Sequence, residues 1–323
     1  MNLKQIEYFI QVAEQGSFSK AALVQRVAQP ALSRQVRALE TELRETLLLR
    51  NGRGVTLTVA GKRLLQHCHG ILQLVANARH DLDGRRDEPA GHIVVGLPPS
   101  LARQLTQPLV DAFRAGLPKA RLSIVEGFSA HLGEWLSSGR VDVGLVYNPE
   151  PLSALEFAPV MTEPLCLIGP PGRKQRKTVP FRDLPRYPLV LPQRGHIFRR
   201  LMEVNATLSG VRLDVAWEVS SVPAILDLVR GGYGYAALTD SALRSDDAPD
   251  GLTVARIREP EIKITLCLAT SARKRPTPLS RQVVQILADL ANTLSGGKNV
   301  RAIRRGKARR AASARHAGTL VFP

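Results

Sequence analysis

The sequence predicts an α/β protein in three parts: a small helical unit, one long helix, and a two-lobed α/β domain. Three observations carry this. Residues 1–88 are patterned almost wholly as helices, with one short break at 50–57. Residues 91–295 alternate short β-rich runs with amphipathic helical stretches, in two successive cycles. Between these regions lies GRRDEPAG (84–91), a charged turn with Pro89 and Gly91, the clearest domain boundary in the chain. At 323 residues the chain is long enough for two or three domains.

The first helix is predicted from Asn2 to Gln15, with Leu3, Ile6, Ile10 and Ala13 on one face, Phe9 beside them, and Gly16 as its stop. Ser17 or Ser19 can cap a short second helix over Lys20–Val24. A break near Arg26–Ala28 precedes a third helix that starts at Gln29–Pro30, where proline suits the first turn, and runs to Leu43. Leu32, Val36, Leu39 and Leu43 form its buried stripe. Gln29, Ser33, Arg34 and Arg37 fall elsewhere on it, toward its N-terminal half. A short helix, a tight turn and a second helix with a polar N-terminal half suit a unit that reads base edges in the DNA major groove.

NGRGVTLT (51–58) reads as a small two-stranded wing whose neighbouring arginines, Arg50 and Arg53, meet phosphate or the minor groove. The long helix is predicted over Val59–Asp83, capped by Thr58. Leu64, Cys68, Ile71, Val75, Ala78 and Leu82 are spaced 4, 3, 4, 3 and 4 apart, a heptad seam. Two readings share this pattern: packing against the helix's own domain, or pairing with a second copy. Pairing is preferred, because a unit this small binds DNA weakly alone and two copies read two half-sites of an imperfect palindrome.

The second region is predicted as strand 92–97, helix 101–115, strand 122–126, helix 131–138 and strand 141–146. Strand 189–191, helix 197–208, strand 213–219, helix 222–231 and strand 235–239 follow, closed by strand 262–269 and helix 278–294. Repeated βα units predict a parallel sheet. Two cycles predict two lobes, approximately 91–161 plus 266–295, and 162–265, with a cleft between them. The predicted domains are therefore 1–58, 59–88 and 91–295. A tail at 296–323, rich in Arg, Lys, Ala and Gly, reads as disordered.

Charge is a weaker guide. The formal net charge is +17, of which +4 falls in 1–90, +5 in 91–295 and +8 in the tail. This argues for attraction to polyanions in general, and the tail either adds non-specific DNA affinity or has no role. No apolar run is long enough to span a membrane, and MNLKQIEYFIQVAEQG does not resemble a signal peptide, so a cytoplasmic protein is expected. Cys68, Cys166 and Cys267 make neither a disulfide framework nor a metal-ligand spacing. His67, Cys68 and His69 point about 100° apart on a helix and cannot converge on one ion. GVTLTVAGK (54–62) has the wrong spacing for a phosphate loop, and GGYGYAAL (231–238) leads into a strand, so it reads as a helix-to-strand turn. No nucleophile–base–acid set stands out, and neither enzyme activity nor a cofactor is expected.

SFSKAALVQRVAQPALSRQVRALETEL (17–43), followed by LLLRNGRGVTLTVAGKRLL (47–65), closely resembles the signature of LysR-type transcriptional regulators. The resemblance implies a winged helix-turn-helix, a linker helix and a periplasmic-binding-protein-like effector domain, over roughly residues 1–295. It implies base contacts from Gln29, Pro30, Ser33 and Arg34, with Arg34 suited to guanine. It implies phosphate contacts from Ser17, Ser19, Lys20, Arg37 and Arg50, and minor-groove insertion of Arg53. It also implies a homodimer that assembles into a tetramer, with contact to RNA polymerase left open. Between the lobes it points to Ser100, Ser129, Tyr147 and Phe198 for a small-molecule effector, and their hydroxyls and nearby helix starts suit an anion. EGFSAHL (126–132) and VYNP (146–149) resemble segments of regulators of nitrogen or aromatic metabolism. Two positions depart from the pattern. Arg44 stands where the family often has glycine, which lengthens the recognition helix or adds a phosphate contact. Leu48 stands where phenylalanine is usual, which keeps an apolar plug.

Overall fold

The structure is a computed structural model that describes residues 1–52, 54–82, 89–172, 176–243, 251–272, 274 and 276–294; the side chains at 73, 77 and 79–82 are not among them. Arg53, the Leu82 side chain, the turn at 84–88 and the tail therefore lie outside the described residues.

The N-terminal unit comprises α1 (Leu3–Gln15), α2 (Phe18–Gln25), α3 (Gln29–Leu43), and the wing strands β1 (Leu48–Asn51) and β2 (Gly54–Leu57). Asn2 caps α1 in a reciprocal box with Gln5, and Gly16 closes it in the left-handed conformation. Of the two serines that could cap α2, Ser17 does so. The buried side of α1 is wider than its stripe suggests. Tyr8, Phe9 and Val12 are buried along with Ile6 and Ile10, because α2, α3 and the linker helix all pack around it. Leu32, Val36 and Leu39 anchor α3 in the same core, each burial stabilising by roughly 1.5–3 kcal/mol. Arg44 does not lengthen α3. It ends the helix with φ 54°, its N–H returning to the carbonyls of Glu40 and Thr41.

The linker helix α4 runs from Val59 to Leu82. Thr58 caps it by accepting from Gly61 N–H at 2.9 Å. The heptad positions of α4 fall into two environments. Leu64, Cys68 and Ile71 pack into the core of their own domain, and Cys68 is fully buried. Burial pushes its thiol up to about 11. That half of the stripe already has a partner in α1. Val75 is half-buried, while Ala78 and Leu74 are exposed.

The second region begins with β3 (Gly91–Leu97), α5 (Pro99–Gly116), β4 (Ala120–Glu126), α6 (Ser129–Ser138), β5 (Val143–Tyr147) and β6 (Leu155–Gly169). It continues with β7 (Thr178–Pro180), β8 (Leu189–Leu191), α7 (Ile197–Leu208), β9 (Val215–Glu218), α8 (Val222–Arg230) and β10 (Tyr235–Thr239). β11 (Thr253–Arg258), β12 (Lys263–Ser271) and α9 (Pro278–Leu294) complete it. The strand order is β4-β3-β5-β12-β6-β10-β8-β9, with β11 joining β6 to β7.

The sheet is mixed, not parallel. β4, β3 and β5 are parallel, as are β10, β8 and β9, but β6 and β12 run antiparallel to their neighbours. β6 serves both lobes. Its first part, to Pro164, pairs with β12; from Leu165 onward it pairs with β10 and β11. The chain thus passes between lobes at Pro164–Leu165 and returns at Ile262–Lys263, so the interlobe region is built around a hinge of two crossing strands.

Candidate functional site

α3 presents two chemically distinct sides. Pro30, Arg34 and Arg37 are exposed, and Gln29 and Ser33 are half-buried, while Leu32, Val36 and Leu39 anchor the opposite side. Beside them, Ser19 and Lys20 on α2 and Arg50 on β1 are exposed, and Ser17 is half-buried with its hydroxyl accepting from Lys20 N–H at 3.4 Å. Of these predicted residues, Arg50 and Ser33 are brought into direct contact across elements, and Arg53 lies outside the described residues. Arg50 is tied more closely than expected. One guanidinium nitrogen donates to Ser33 Oγ at 2.9 Å, and its carbon lies 4.1 Å from the Phe18 ring centre.

Two contacts hold this surface together, one of them from Glu40, which the sequence did not single out. Glu40 turns a carboxylate oxygen toward the wing and accepts from Leu47 N–H at 2.8 Å and Leu48 N–H at 3.1 Å. On the other side, Val55 N–H donates to the Gly16 carbonyl at 2.9 Å, docking β2 on the end of α1. The wing is thus fastened to both α1 and α3.

Between the lobes, the four predicted effector residues divide. Ser129 and Phe198 are engaged within the protein: the Ser129 hydroxyl accepts from Tyr147 N–H at 3.0 Å, and Phe198 is fully buried. Phe198 packs its ring 5.5 Å from that of Tyr147. Ser100 and Tyr147 are different. Both are buried, yet neither hydroxyl has a hydrogen-bond partner. The Tyr147 hydroxyl sits among those of Ser100, Thr239 and Ser241, close to Glu163, without reaching hydrogen-bond geometry to any. Burial is the main cause that pushes its ionisation upward, and the Glu163 charge adds to it. Glu163 accepts from both the N–H (3.0 Å) and the hydroxyl (2.7 Å) of Ser241. Gln104 donates to the Ser241 carbonyl at 2.6 Å while its own amide oxygen, also buried, has no partner. Ser100, Gln104 and Tyr147 come from one lobe, Thr239 and Ser241 from the other, and Glu163 from the crossing strand. Its members are spread from Ser100 to Ser241 along the chain, which hid this cluster.

A cavity of about 980 Å³ opens between α5, α6 and the start of α8, lined by Arg103, Phe128, His131, Trp135, Ser220 and Ser221 among others. Pro99, next to Ser100, also lines it. A smaller cavity of about 220 Å³ is lined by Ser129, Tyr147, Ile197 and Arg200 among others. The rings of Phe128, His131 and Trp135 run nearly parallel, about 6 Å apart, and Arg140 covers the Trp135 ring at 4.4 Å. His196 meets Phe128 edge-on, caps α7 by accepting from Phe198 N–H at 3.2 Å, and is pushed down to about 4 by burial. Among the described residues, no group of three or more His, Cys, Asp or Glu is placed to hold a metal ion, and no helix is long and apolar enough to cross a membrane.

Comparison with known proteins adds to this geometry. Residues 3–62 match the model of the bacterial regulatory helix-turn-helix protein, lysR family, and residues 86–292 match that of the LysR substrate binding domain. The nitrogen assimilation regulatory protein nac of Klebsiella aerogenes is 31% identical over 90% of this chain and 96% of its own length. Its counterpart in Escherichia coli is 30% identical over 91% and 96%. Among solved structures, a cysteine-to-aspartate variant of full-length OxyR from Pseudomonas aeruginosa superposes with a TM-score of 0.66 at 25% identity, covering 90% of this chain and 95% of that one. CbnR complexed with its target DNA gives 0.63 at 25% identity, covering 90% and 100%.

Proposed function

The chain belongs to the LysR family of DNA-binding transcription regulators that respond to small-molecule effectors, and from that premise we propose how its residues divide the work. Gln29, Pro30, Ser33 and Arg34 face base edges in the major groove. Ser17, Ser19, Lys20, Arg37 and Arg50 set the register on phosphates, and Arg53 enters the minor groove. The observation that carries this is the exposed polar side of α3 held against an apolar anchor of Leu32, Val36 and Leu39. Two subunits read an imperfect palindrome, paired through the remaining apolar positions of α4, Leu74, Val75 and Ala78, and such dimers pair into a tetramer.

The effector binds between the lobes. The 980 Å³ cavity bordered by both lobes falls in the size range of small-molecule sites. Ser100 follows Pro99 of its wall and Tyr147 lines the smaller cavity, so their unpartnered hydroxyls serve an effector that reaches inward from these cavities; a buried polar atom without a partner costs roughly 1–3 kcal/mol and a ligand atom there removes that cost. Glu163 disfavours a second negative charge at this point, so an anionic effector directs its charge elsewhere, toward the Arg103 side of the cavity. Control of nitrogen metabolism is the favoured pathway, on the names of the relatives at 31% and 30% identity.

Binding of the full-length protein to promoter fragments from its own genome, against random duplex at physiological salt, tests the DNA reading; equal affinity for both refutes it. Arg34→Ala should lose discrimination at one base position, worth about 1–3 kcal/mol, whereas Arg37→Ala should weaken all sequences alike and lower the salt slope by about 0.9. Thermal shifts against a panel of small metabolites test the effector site. Tyr147→Phe should leave stability unchanged or slightly higher while the shift disappears. A shift that survives both Tyr147→Phe and Ser100→Ala places the ligand elsewhere.

A further inference from the structure

Three elements of the DNA-binding unit meet at one guanidinium. Arg50 projects from β1, its carbon lies 4.1 Å from the ring centre of Phe18 at the start of α2, and its Nη2 donates to Ser33 Oγ on α3 at 2.9 Å. Phe18 is buried in the domain core, so the platform under Arg50 is fixed. A phosphate-holding arginine needs only an exposed charge. This one is also stacked and directed at a residue of the recognition helix.

The chemistry of that contact is asymmetric. An arginine donates only, whereas a serine hydroxyl can donate or accept. With an Arg50 N–H directed at its oxygen, the Ser33 hydroxyl proton turns away from the guanidinium, and the adjacent positive charge makes that proton a better donor. Major-groove edges differ in what they offer a donor: guanine presents two acceptors, while cytosine presents only a donating amino group.

We propose that Arg50 is a positioning residue for base readout: it sets Ser33 as a hydrogen-bond donor, so the base facing Ser33 is selected for an acceptor edge, with guanine favoured and cytosine rejected. This rests on the reading that α3 lies in the major groove with Ser33 toward the bases, and it goes beyond a phosphate role for Arg50.

The test uses full-length protein, a bound promoter fragment from its own genome, and duplexes in which each operator position is varied in turn at fixed salt. Wild type, Ser33→Ala, Arg50→Lys and the double variant are compared, with circular dichroism confirming the fold of each. Ser33→Ala should flatten one position per half-site by about fivefold, the worth of one neutral hydrogen bond. Arg50→Lys keeps the charge and so the salt slope, but it cannot stack flat and direct an N–H at Ser33 together. It should flatten the same position, and the double variant should be no flatter than either. Arg50→Ala should flatten that position too and also lower the salt slope. The inference is overturned if Arg50→Lys keeps the preference that Ser33→Ala loses, if the two losses multiply, or if the preferred base there is cytosine. It is equally overturned if Arg50→Lys weakens all sequences uniformly. A wild type without any sequence preference would instead remove the DNA-recognition reading itself.

Discussion

The carbonyl oxygen of Ser138 lies 1.9 Å from where a Cβ on Gly70 would stand. The linker helix therefore meets the end of α6 with no clearance, and only glycine fits. Around this point His69 lies 3.6 Å from Glu14 on α1, and the Arg140 charge, two residues past Ser138, acts on the same imidazole. Gly70→Ala must push α4 and α6 apart, since the obstructing atom is backbone, at a cost of about 1–3 kcal/mol at the junction. Amide hydrogen exchange should rise in the last turn of α6 and stay as in wild type in α3. Unchanged protection at residues 136–139 would show that the two elements are not in contact in solution.

Arg44 is the second position where backbone geometry decides an outcome. A non-glycine residue in the left-handed region costs roughly 1–2 kcal/mol, and Arg44 sits there with φ 54° and ψ 34°. Its side chain is exposed, so little packing compensates. Arg44→Gly should raise the stability of the DNA-binding unit by about 0.5–1 kcal/mol, read as a higher urea midpoint. A lower midpoint would mean that the arginine makes a contact outweighing the strain.

Glu40 joins recognition helix to wing through two backbone N–H groups. Hydrogen bonds to a charged acceptor contribute about 1.5–3 kcal/mol, and Glu40→Ala leaves both donors of a part-buried turn without a partner. A destabilisation of about 2–3 kcal/mol is expected, with Glu40→Gln recovering part of it through its amide oxygen. The same variant should weaken DNA binding through a loosened wing. A loss below about 0.5 kcal/mol in equilibrium unfolding would show that water replaces the carboxylate.

The helical part of this fold was legible in the sequence because its signals are local. Asn2, Ser17, Gly16 and Pro30 mark helix ends, and the expected limits of α3, α7 and α9 match the observed ones. β6 was not legible. No element was expected between 147 and 188, and the strand there is interrupted in pattern: Pro159 falls beside the irregularity in its pairing with β12, and Pro164 marks the change of partner between lobes. The heptad stripe of α4 was visible but ambiguous, because Leu64, Cys68 and Ile71 show the same spacing whether they face a second copy or α1. Ser100 and Tyr147 could be singled out from their places after strands. Thr239, Ser241 and Glu163 could not, since only the crossing of β6 between lobes brings them together.

His196 couples this fold to pH. It is 3% exposed, and burial lowers its affinity for protons, with the folded value near 4 against an ordinary 6.5. Well above pH 6.5, at about pH 7.5 and higher, the imidazole is almost wholly neutral in both states and costs almost nothing. As pH falls below 6.5 the unfolded chain takes up the proton and the folded chain does not, so stability drops, and the loss is complete only below about pH 4. The whole effect is about 3 kcal/mol, of which roughly 2–3 kcal/mol is lost by about pH 4.5. His196→Asn keeps a side-chain acceptor for Phe198 N–H at the start of α7 but has no proton to gain. Unfolding by urea at about pH 7.5 and about pH 4.5 should show the variant losing about 2–3 kcal/mol less than wild type over that interval, whatever the carboxylates contribute to both. Equal losses in the two proteins would mean that the imidazole is reached by solvent and protonates freely in the folded state.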